Sequence, residues 1–315
     1  MQKLLITRCL PEKVVAAAQT RFDVSYRDQT TALSPTDLRA ALRDYDAILP
    51  TLGDLFRADV FADVPHPRSR ILANFGVGTN HIDVPAARAA GLAVTNTPGA
   101  VTDATADIAL TLILMTARRA GEGERLLRAG NWQGWHPTQM LGTHVTGKQV
   151  GIIGMGRIGQ AVARRCHYGF GMAVIFHNRS PLTPDFPARQ VPLTEALQAD
   201  FVVLAVPASP ATRHLINAET LAQMRPAAIL INIARGDVVD EAALIAALQN
   251  RQIAGAGLDV YEFEPKIPAA LTALDNVTLL PHLGTAALEV REAMGMMALA
   301  NLTACLDGHP LPNPV

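Results

Sequence analysis

From Lys3 to Asn96 the chain alternates short apolar runs (Leu4 to Thr7, Phe22 to Tyr26, Ala47 to Pro50, Ile71 to Asn74, Ala93 to Thr95) with longer stretches of helical character. Short strand-like runs separated by helix-length segments predict βα units and a parallel sheet. Pro11 and Ser34-Pro35 mark helix starts, since a capping hydroxyl ahead of a proline suits the first turn. A long helical pattern then runs from near Thr102 towards Arg119, with Ala106, Ala109, Leu110, Ile113 and Leu114 at helical intervals, and reads as a bridge between two domains. Gly130 to Gly147 interrupts the periodicity. This stretch carries Trp132, Trp135 and Pro137, and an aromatic-rich irregular arm suits either a subunit contact or packing on its own chain. The βα rhythm resumes at Val150 and continues through Met172 to Phe176, Phe201 to Val206, Ala228 to Ile233, Ala256 to Val260 and Val277 to Leu280. A final helical pattern, Ala286 to Leu306, ends at Gly308 and is suited to return to the first domain.

Two α/β domains are therefore expected, and 315 residues are enough for two buried cores. A formal net charge of -1 with no basic block leaves no electrostatic footprint for nucleic acid or an anionic membrane. The longest apolar runs, Leu110 to Met115 and Ala227 to Ile233, are too short to span a bilayer, and Met1 to Leu10 has no signal-peptide character. A soluble, cytoplasmic protein acting on small molecules is the expectation. Cys9, Cys166 and Cys305 are odd in number and scattered, so reduced thiols serving as small core residues are expected, with no disulfide frame and no metal cluster.

The densest chemical signal is Gln149 to Gly159. A buried-strand run, Val150 to Ile153, leads into Gly154, Gly156 and Gly159 at G-x-G-x-x-G spacing, and a helix-forming segment follows from Gln160 to Cys166. Gly154 would make the tight turn, Gly156 would admit a pyrophosphate to the backbone, and Gly159 would let helix pack on strand. The free N–H groups opening the helix would hold the anion. A second glycine-rich stretch, Asn74 to Asn80, reads either as an anion nest or as a plain turn.

Ligands collect at the carboxyl ends of parallel strands. Three ends carry chemistry: Ala234-Arg235-Gly236-Asp237 after Ile229 to Ile233, Asp259 with Glu262 and Glu264 after Gly257-Leu258, and Pro281-His282-Leu283-Gly284 after Leu279-Leu280. A guanidinium holds a carboxylate bidentately and polarises the adjacent carbonyl, a histidinium donates a proton, and a carboxylate keeps that histidine charged. Beside a dinucleotide turn, these three side-chain types supply what ketone reduction needs, the cofactor bringing the hydride.

At these residues the chain resembles the D-isomer-specific 2-hydroxyacid dehydrogenases, along nearly its whole length. The resemblance rests on Val150 to Gly159, Asn232-Ile233-Ala234-Arg235-Gly236, Gly257-Leu258-Asp259 through Glu264-Pro265, and Pro281-His282-Leu283-Gly284. It implies a Rossmann cofactor domain, 99–285, inserted into a flavodoxin-like substrate domain, 1–98 plus 286–315. Both would be doubly wound parallel sheets, with a cleft that closes by hinge motion. It further implies that His282 is the acid/base, Glu264 its partner, and Arg235 the group that binds the 2-oxo acid. Leu52, Gly53, Val77 and Gly78 would join Arg235 and His282 around the substrate. Gly154, Met155, Gly156, Arg157, Ile158 and Gly159 would hold the pyrophosphate. His177, Asn178, Arg179 and Ser180 would meet the adenosine end. Thr105, Val206, Pro207, Thr212, Ile233 and Ala234 would line the rest of the cofactor, with Asp259 on the nicotinamide carboxamide. A homodimer is implied, with an arm at about 120–147 reaching across the partner.

Within the family, Gly130-Asn131-Trp132 through Trp135-His136-Pro137 and Pro281 to Thr285 look most like the glyoxylate and hydroxypyruvate reductases. Related members that reduce 2-ketogluconate or bulkier 2-oxo acids stay open. So does a dinucleotide-sensing, corepressor-like binding protein, although no extra tail for partner recruitment is evident. A methyltransferase using S-adenosylmethionine also has a glycine-rich βα turn, but gives Arg235, Glu264 and His282 no task. NAD calls for a carboxylate about twenty residues past the glycines. Here the chain reads Ile175-Phe176-His177-Asn178-Arg179-Ser180, with no carboxylate until Asp185, so NADPH is expected over NADH.

Overall fold

The computed structural model describes residues 1–315, which divide into two compact units: Met1–Val101 with Thr285–Val315, and Thr102–Gly284. In the first unit, β1 (Lys3–Ile6), β2 (Asp23–Tyr26), β3 (Ala47–Leu49), β4 (Ile71–Ala73) and β5 (Ala93–Thr95) form a parallel sheet in the order β2-β1-β3-β4-β5. Strand periodicity explains the double winding. Leu4, Ile6, Ala47, Leu49, Ile71 and Ala73 face the helices Glu12–Arg21 and Leu288–Asp307, while Leu5, Ile48, Leu72 and Val94 face Pro35–Asp44, Ala58–Ala62 and Val84–Ala89. Ser34 and Asp37 close a capping box at the helix Pro35–Asp44, a local contribution of about 1 kcal/mol. The helix Leu288–Asp307 stops at Gly308, whose φ of 77° is the left-handed cap that a glycine supplies without strain.

The second unit holds seven parallel strands: β6 (Gln149–Ile153), β7 (Ala173–His177), β8 (Arg189–Gln190), β9 (Phe201–Leu204), β10 (Ile229–Asn232), β11 (Gly255–Leu258) and β12 (Val277–Leu279). Their order, β12-β11-β10-β9-β6-β7-β8, reverses direction between β9 and β6. Both sheets are thus open, parallel and doubly wound, the Rossmann arrangement here and the flavodoxin-like one in the first unit. The edge strand β8 has no apolar signature, since both its residues are exposed, and the hydrophobic pattern gives no warning of it.

The long helix expected from near Thr102 is Thr102–Ala117, within the second unit; beyond its end Arg119 takes a left-handed φ of 53° and turns the chain into a second helix, Ala120–Arg128. The expected arm at about 120–147 therefore begins as helix, and only the stretch after it lacks helix and strand. Of the three free cysteines only Cys166 is a core residue, its thiol pushed up to about 12 by burial; Cys305 is half-buried, and Cys9, just past β1, is exposed. No helix is long and apolar enough to cross a membrane.

Candidate active site

The chemistry of the second unit gathers at the carboxyl ends of its strands. After β6 the chain turns at Gly154, whose φ of 98° excludes an L side chain and whose Cβ would lie 2.8 Å from both the Ala205 oxygen and Val206 Cγ1. A Cβ on Gly159 would lie 2.1 Å from the Gly154 oxygen, so helix and strand pack backbone to backbone. Gly156 is different. It caps the helix Arg157–Arg164 with no side chain, and a Cβ there would meet nothing within 4 Å. Open space in front of a helix N-terminus is what a pyrophosphate requires, so the residues present fit a dinucleotide.

Past β7, Asn178 braces this turn: its Oδ1 accepts from Met155 N at 3.3 Å and its Nδ2 donates to the Ser180 oxygen at 2.9 Å. His177 Nδ1 is 3.3 Å from the Val191 oxygen. Arg179 and Ser180 are exposed, and Asp185, the first carboxylate downstream, is engaged by Arg164. The strand end therefore presents a guanidinium where an NAD site carries an acid.

Arg235, Glu264 and His282 are placed by a set of buried braces. Asn232, 1% exposed, accepts from Ala234 N and donates to the Arg235 oxygen, both at 3.0 Å, fixing the Ile233–Arg235 turn at the end of β10. Arg235 Nη1 donates to the Ala234 oxygen at 2.7 Å. At Gly236 a Cβ would fall 1.8 Å from the Tyr261 carbonyl carbon, so only glycine lets the arginine turn lie against the loop that carries Glu264. Glu264 Oε1 accepts from Tyr261 N at 2.9 Å, and Oε2 lies 2.9 Å from His282 Nδ1. Burial works to raise the Glu264 carboxyl, but the His282 bond and charge, the Tyr261 N–H and Arg235 together hold it below its ordinary value. It faces His282 as a carboxylate.

His282 itself has a φ of 56°, a conformation that costs a non-glycine residue about 1–2 kcal/mol. Asp259 holds it there. Its oxygens accept from Leu283 N at 2.6 Å and Gly284 N at 2.8 Å, and Thr105 Oγ1 donates to the Gly284 oxygen at 3.3 Å. Burial raises the Asp259 carboxyl, while those N–H groups and His282 act to lower it. Asp259 and Thr105, expected at the cofactor, thus hold the histidine loop. Thr212, expected beside them, closes its own turn by donating to the Pro207 oxygen at 2.8 Å. Tyr261 was not foreseen: its hydroxyl donates to the Leu280 oxygen at 2.9 Å, and burial pushes its pKa up. A cavity of about 400 Å³ at the opposite, amino ends of β10 to β12, with Arg119, Arg251 and Asp275 in its lining, contains none of these groups.

In the first unit the expected substrate residues lie past β3 and β4. Asn74, 1% exposed, donates to the Gly76 and Gly78 oxygens at 3.0 Å and meets His81 Nε2 at 3.0 Å. The Val77 and Gly78 N–H groups stay outside the hydrogen bonding of this loop. The turn after β3 is built on Asp54, fully buried, which accepts from Thr7 Oγ1 at 2.6 Å and Thr51 N at 3.1 Å, leaving Leu52 partly exposed. Asp54 has no role in the sequence reading, and Asn74 enters it only as the first residue of the Asn74 to Asn80 stretch. A polar residue closing an apolar strand run, as at Asn74 and Asn232, is the signal that marks such braces.

Residues 110–284 match the family described as D-isomer specific 2-hydroxyacid dehydrogenase, NAD binding domain. The chain is 43% identical over 321 residues to a glyoxylate reductase of Thermococcus onnurineus, covering 99% of this chain and 95% of the relative. It is 44% identical over 324 residues to a glyoxylate reductase of Thermococcus kodakarensis, covering 99% and 96%. Among solved structures, an NADPH-dependent glyoxylate/hydroxypyruvate reductase from Sinorhizobium meliloti, in complex with NADP and malonate, superimposes with a TM-score of 0.89 at 35% identity, covering 100% of this chain and 96% of that one.

Proposed function

The chain belongs to the D-isomer specific 2-hydroxyacid dehydrogenase family, and from that premise we propose that it reduces glyoxylate and hydroxypyruvate with NADPH, His282 being the proton donor. At the coarser level it is an NAD(P)-dependent 2-hydroxyacid dehydrogenase that reduces 2-oxo acids. The observation carrying the finer reading is the 2.9 Å contact of His282 Nδ1 with Glu264, within loops that also hold Arg235. With Nδ1 committed, Nε2 is the nitrogen that serves the carbonyl oxygen, and the Glu264 carboxylate stabilises the charged ring that delivers a proton. Arg235 holds the substrate carboxylate and opposes the negative charge developing on the oxygen. The Val77 and Gly78 N–H groups, with Leu52 and Gly53, are assigned to the substrate carboxylate and its surroundings. The nicotinamide, when bound, supplies the hydride. The glycine turn and Gly156 are assigned to its pyrophosphate, and Arg179 with Ser180 to the 2′-phosphate.

The test is oxidation of NADPH and NADH, followed side by side with glyoxylate, hydroxypyruvate, 2-ketogluconate and phenylpyruvate. Faster turnover of the two small acids, with NADPH preferred, is expected; oxidation of neither cofactor with any acid would reject the reading. Arg179→Ala should raise KM for NADPH about tenfold or more, the worth of one or two charge-assisted bonds, and leave KM for NADH within about twofold. Equal changes for both cofactors would remove Arg179 from the phosphate site.

A homodimer is part of the same reading. Trp132 and Trp135 are 50% and 79% exposed on the segment after the helix Ala120–Arg128, and aromatic side chains are enriched where subunits meet. Light scattering should give twice the chain mass of 33.6 kDa, and Trp135→Asp should shift the protein towards monomer. A wild-type protein monomeric at micromolar concentration would contradict this assignment.

A further inference from the structure

We infer that Glu262 is a positioning residue for the dinucleotide: through His214 it sets the Val206–Thr212 segment beside the glycine turn. The inference rests on the cofactor assignment proposed above. The segment leaves β9 at the place where strand order reverses, and its first residues lie against Gly154, where a Cβ would meet the Ala205 oxygen and Val206 Cγ1 at 2.8 Å. Open α/β sheets bind ligands at such a reversal. The segment's middle is self-contained. Thr212 Oγ1 donates to the Pro207 oxygen at 2.8 Å and accepts from Ser209 N at 2.9 Å. A turn closed on itself moves as a piece, so its placement depends on what holds its exit.

That exit is His214. It has a left-handed φ of 49°, its N–H donates to the Asp237 oxygen at 2.8 Å, and its Nε2 lies 2.8 Å from Glu262 Oε1. Arg213 Nη2 approaches the same oxygen at 3.5 Å. The Glu262 side chain is 8% exposed and stands between Tyr261 and Glu264 in sequence, on the loop that Gly236 receives backbone to backbone. One carboxylate therefore joins the exit of the cofactor segment to the loop that carries the partner of His282.

The charges around Glu262 argue for a placement role. Glu241 lies close by and is buried, 5% exposed; burial raises its carboxyl, the charge of Glu262 raises it further, and the Glu262 N–H acts in the opposite direction. Glu264 is two residues away, and Arg235 and Asp237 form the adjoining turn. A buried carboxylate among other carboxyls is costly unless cations and donors meet it, and Arg213 and His214 are those groups. An apolar side chain would fill the same space at less cost but could not fix the direction of the His214 ring.

The test uses the full-length protein and NADPH binding followed by fluorescence titration, with kinetics in parallel. Glu262→Ala should weaken NADPH binding about tenfold, leave KM for glyoxylate within about twofold and change kcat at saturating NADPH less than threefold, as expected for loss of one charge-assisted bond. Glu262→Gln keeps an oxygen acceptor for His214 and should recover affinity to within about threefold. His214→Ala should reproduce the Glu262→Ala split, and the double variant should bind NADPH no worse than either single one, because both remove the same contact. His214→Ala also carries the test if Glu262→Ala fails to fold. A lowered Tm with wild-type NADPH affinity in both single variants would overturn the inference and leave the cofactor reading standing. Failure of the wild-type protein to bind NADPH would overturn both.

Discussion

Replacing His282 with alanine is expected to lower kcat on glyoxylate by about a hundred- to ten-thousand-fold, the range for removal of a positioned acid/base group. The loss should be confined to chemistry. Asp259 holds this loop through the N–H groups of Leu283 and Gly284 and not through the imidazole, so the backbone at position 282 keeps its anchors when the ring is removed. NADPH affinity should stay within about threefold of wild type, and thermal unfolding should change little. The measurement is kcat at saturating cofactor and substrate, with binding titrated separately. A variant that kept kcat within threefold of wild type would remove His282 from proton transfer, however well its Nδ1 meets Glu264.

Arg235→Lys is expected to cut kcat/KM for glyoxylate by about ten- to a hundredfold, corresponding to loss of roughly 1.5–3 kcal/mol of hydrogen bonding to a charged group. The side chain is half-buried, and burial acts to lower its pKa while Glu264 and Asp237 oppose that effect. An arginine remains charged under such pressure at neutral pH, so the site keeps a fixed cation. An ammonium carries the same charge but cannot present two parallel donors to a carboxylate, nor reproduce the Nη1 bond to the Ala234 oxygen in the same geometry. KM for the 2-oxo acid should rise most, because orientation of the bound acid is lost first. Unchanged kcat/KM with glyoxylate would show that Arg235 does not grip the substrate.

Alternation of apolar runs and helical stretches was enough to read two parallel-sheet units, because a strand buried on both faces must be apolar throughout and its connection must be helical. The glycine spacing was legible for a similar reason. Gly154 and Gly159 answer to steric limits that no other residue meets, so their chemistry is written in residue type. Arg235, Glu264 and His282 stood out because each follows a strand run. The sequence also carried the absence of an acid between His177 and Asp185 and the presence of Arg179, since a strand end has a definite place in the chain.

Contacts between residues far apart in sequence were not legible. That Asp259 would hold the loop after His282 depends on a pairing across 24 residues, and that Glu262 would meet His214 depends on one across 48. Asp54 and Asn74 read as ordinary polar loop residues until folding removes them from water and obliges each to satisfy its hydrogen bonds. Gly236 looked like the partner of its neighbouring arginine in a motif. Its reason for being glycine is the backbone of Tyr261 and Glu262 lying against it. The sequence by itself determined which chemistry the strand ends carry, because residue type and strand periodicity are local properties. Tertiary structure alone decided which polar groups hold that chemistry in place, because burial and hydrogen-bond partners exist only once distant segments have packed together.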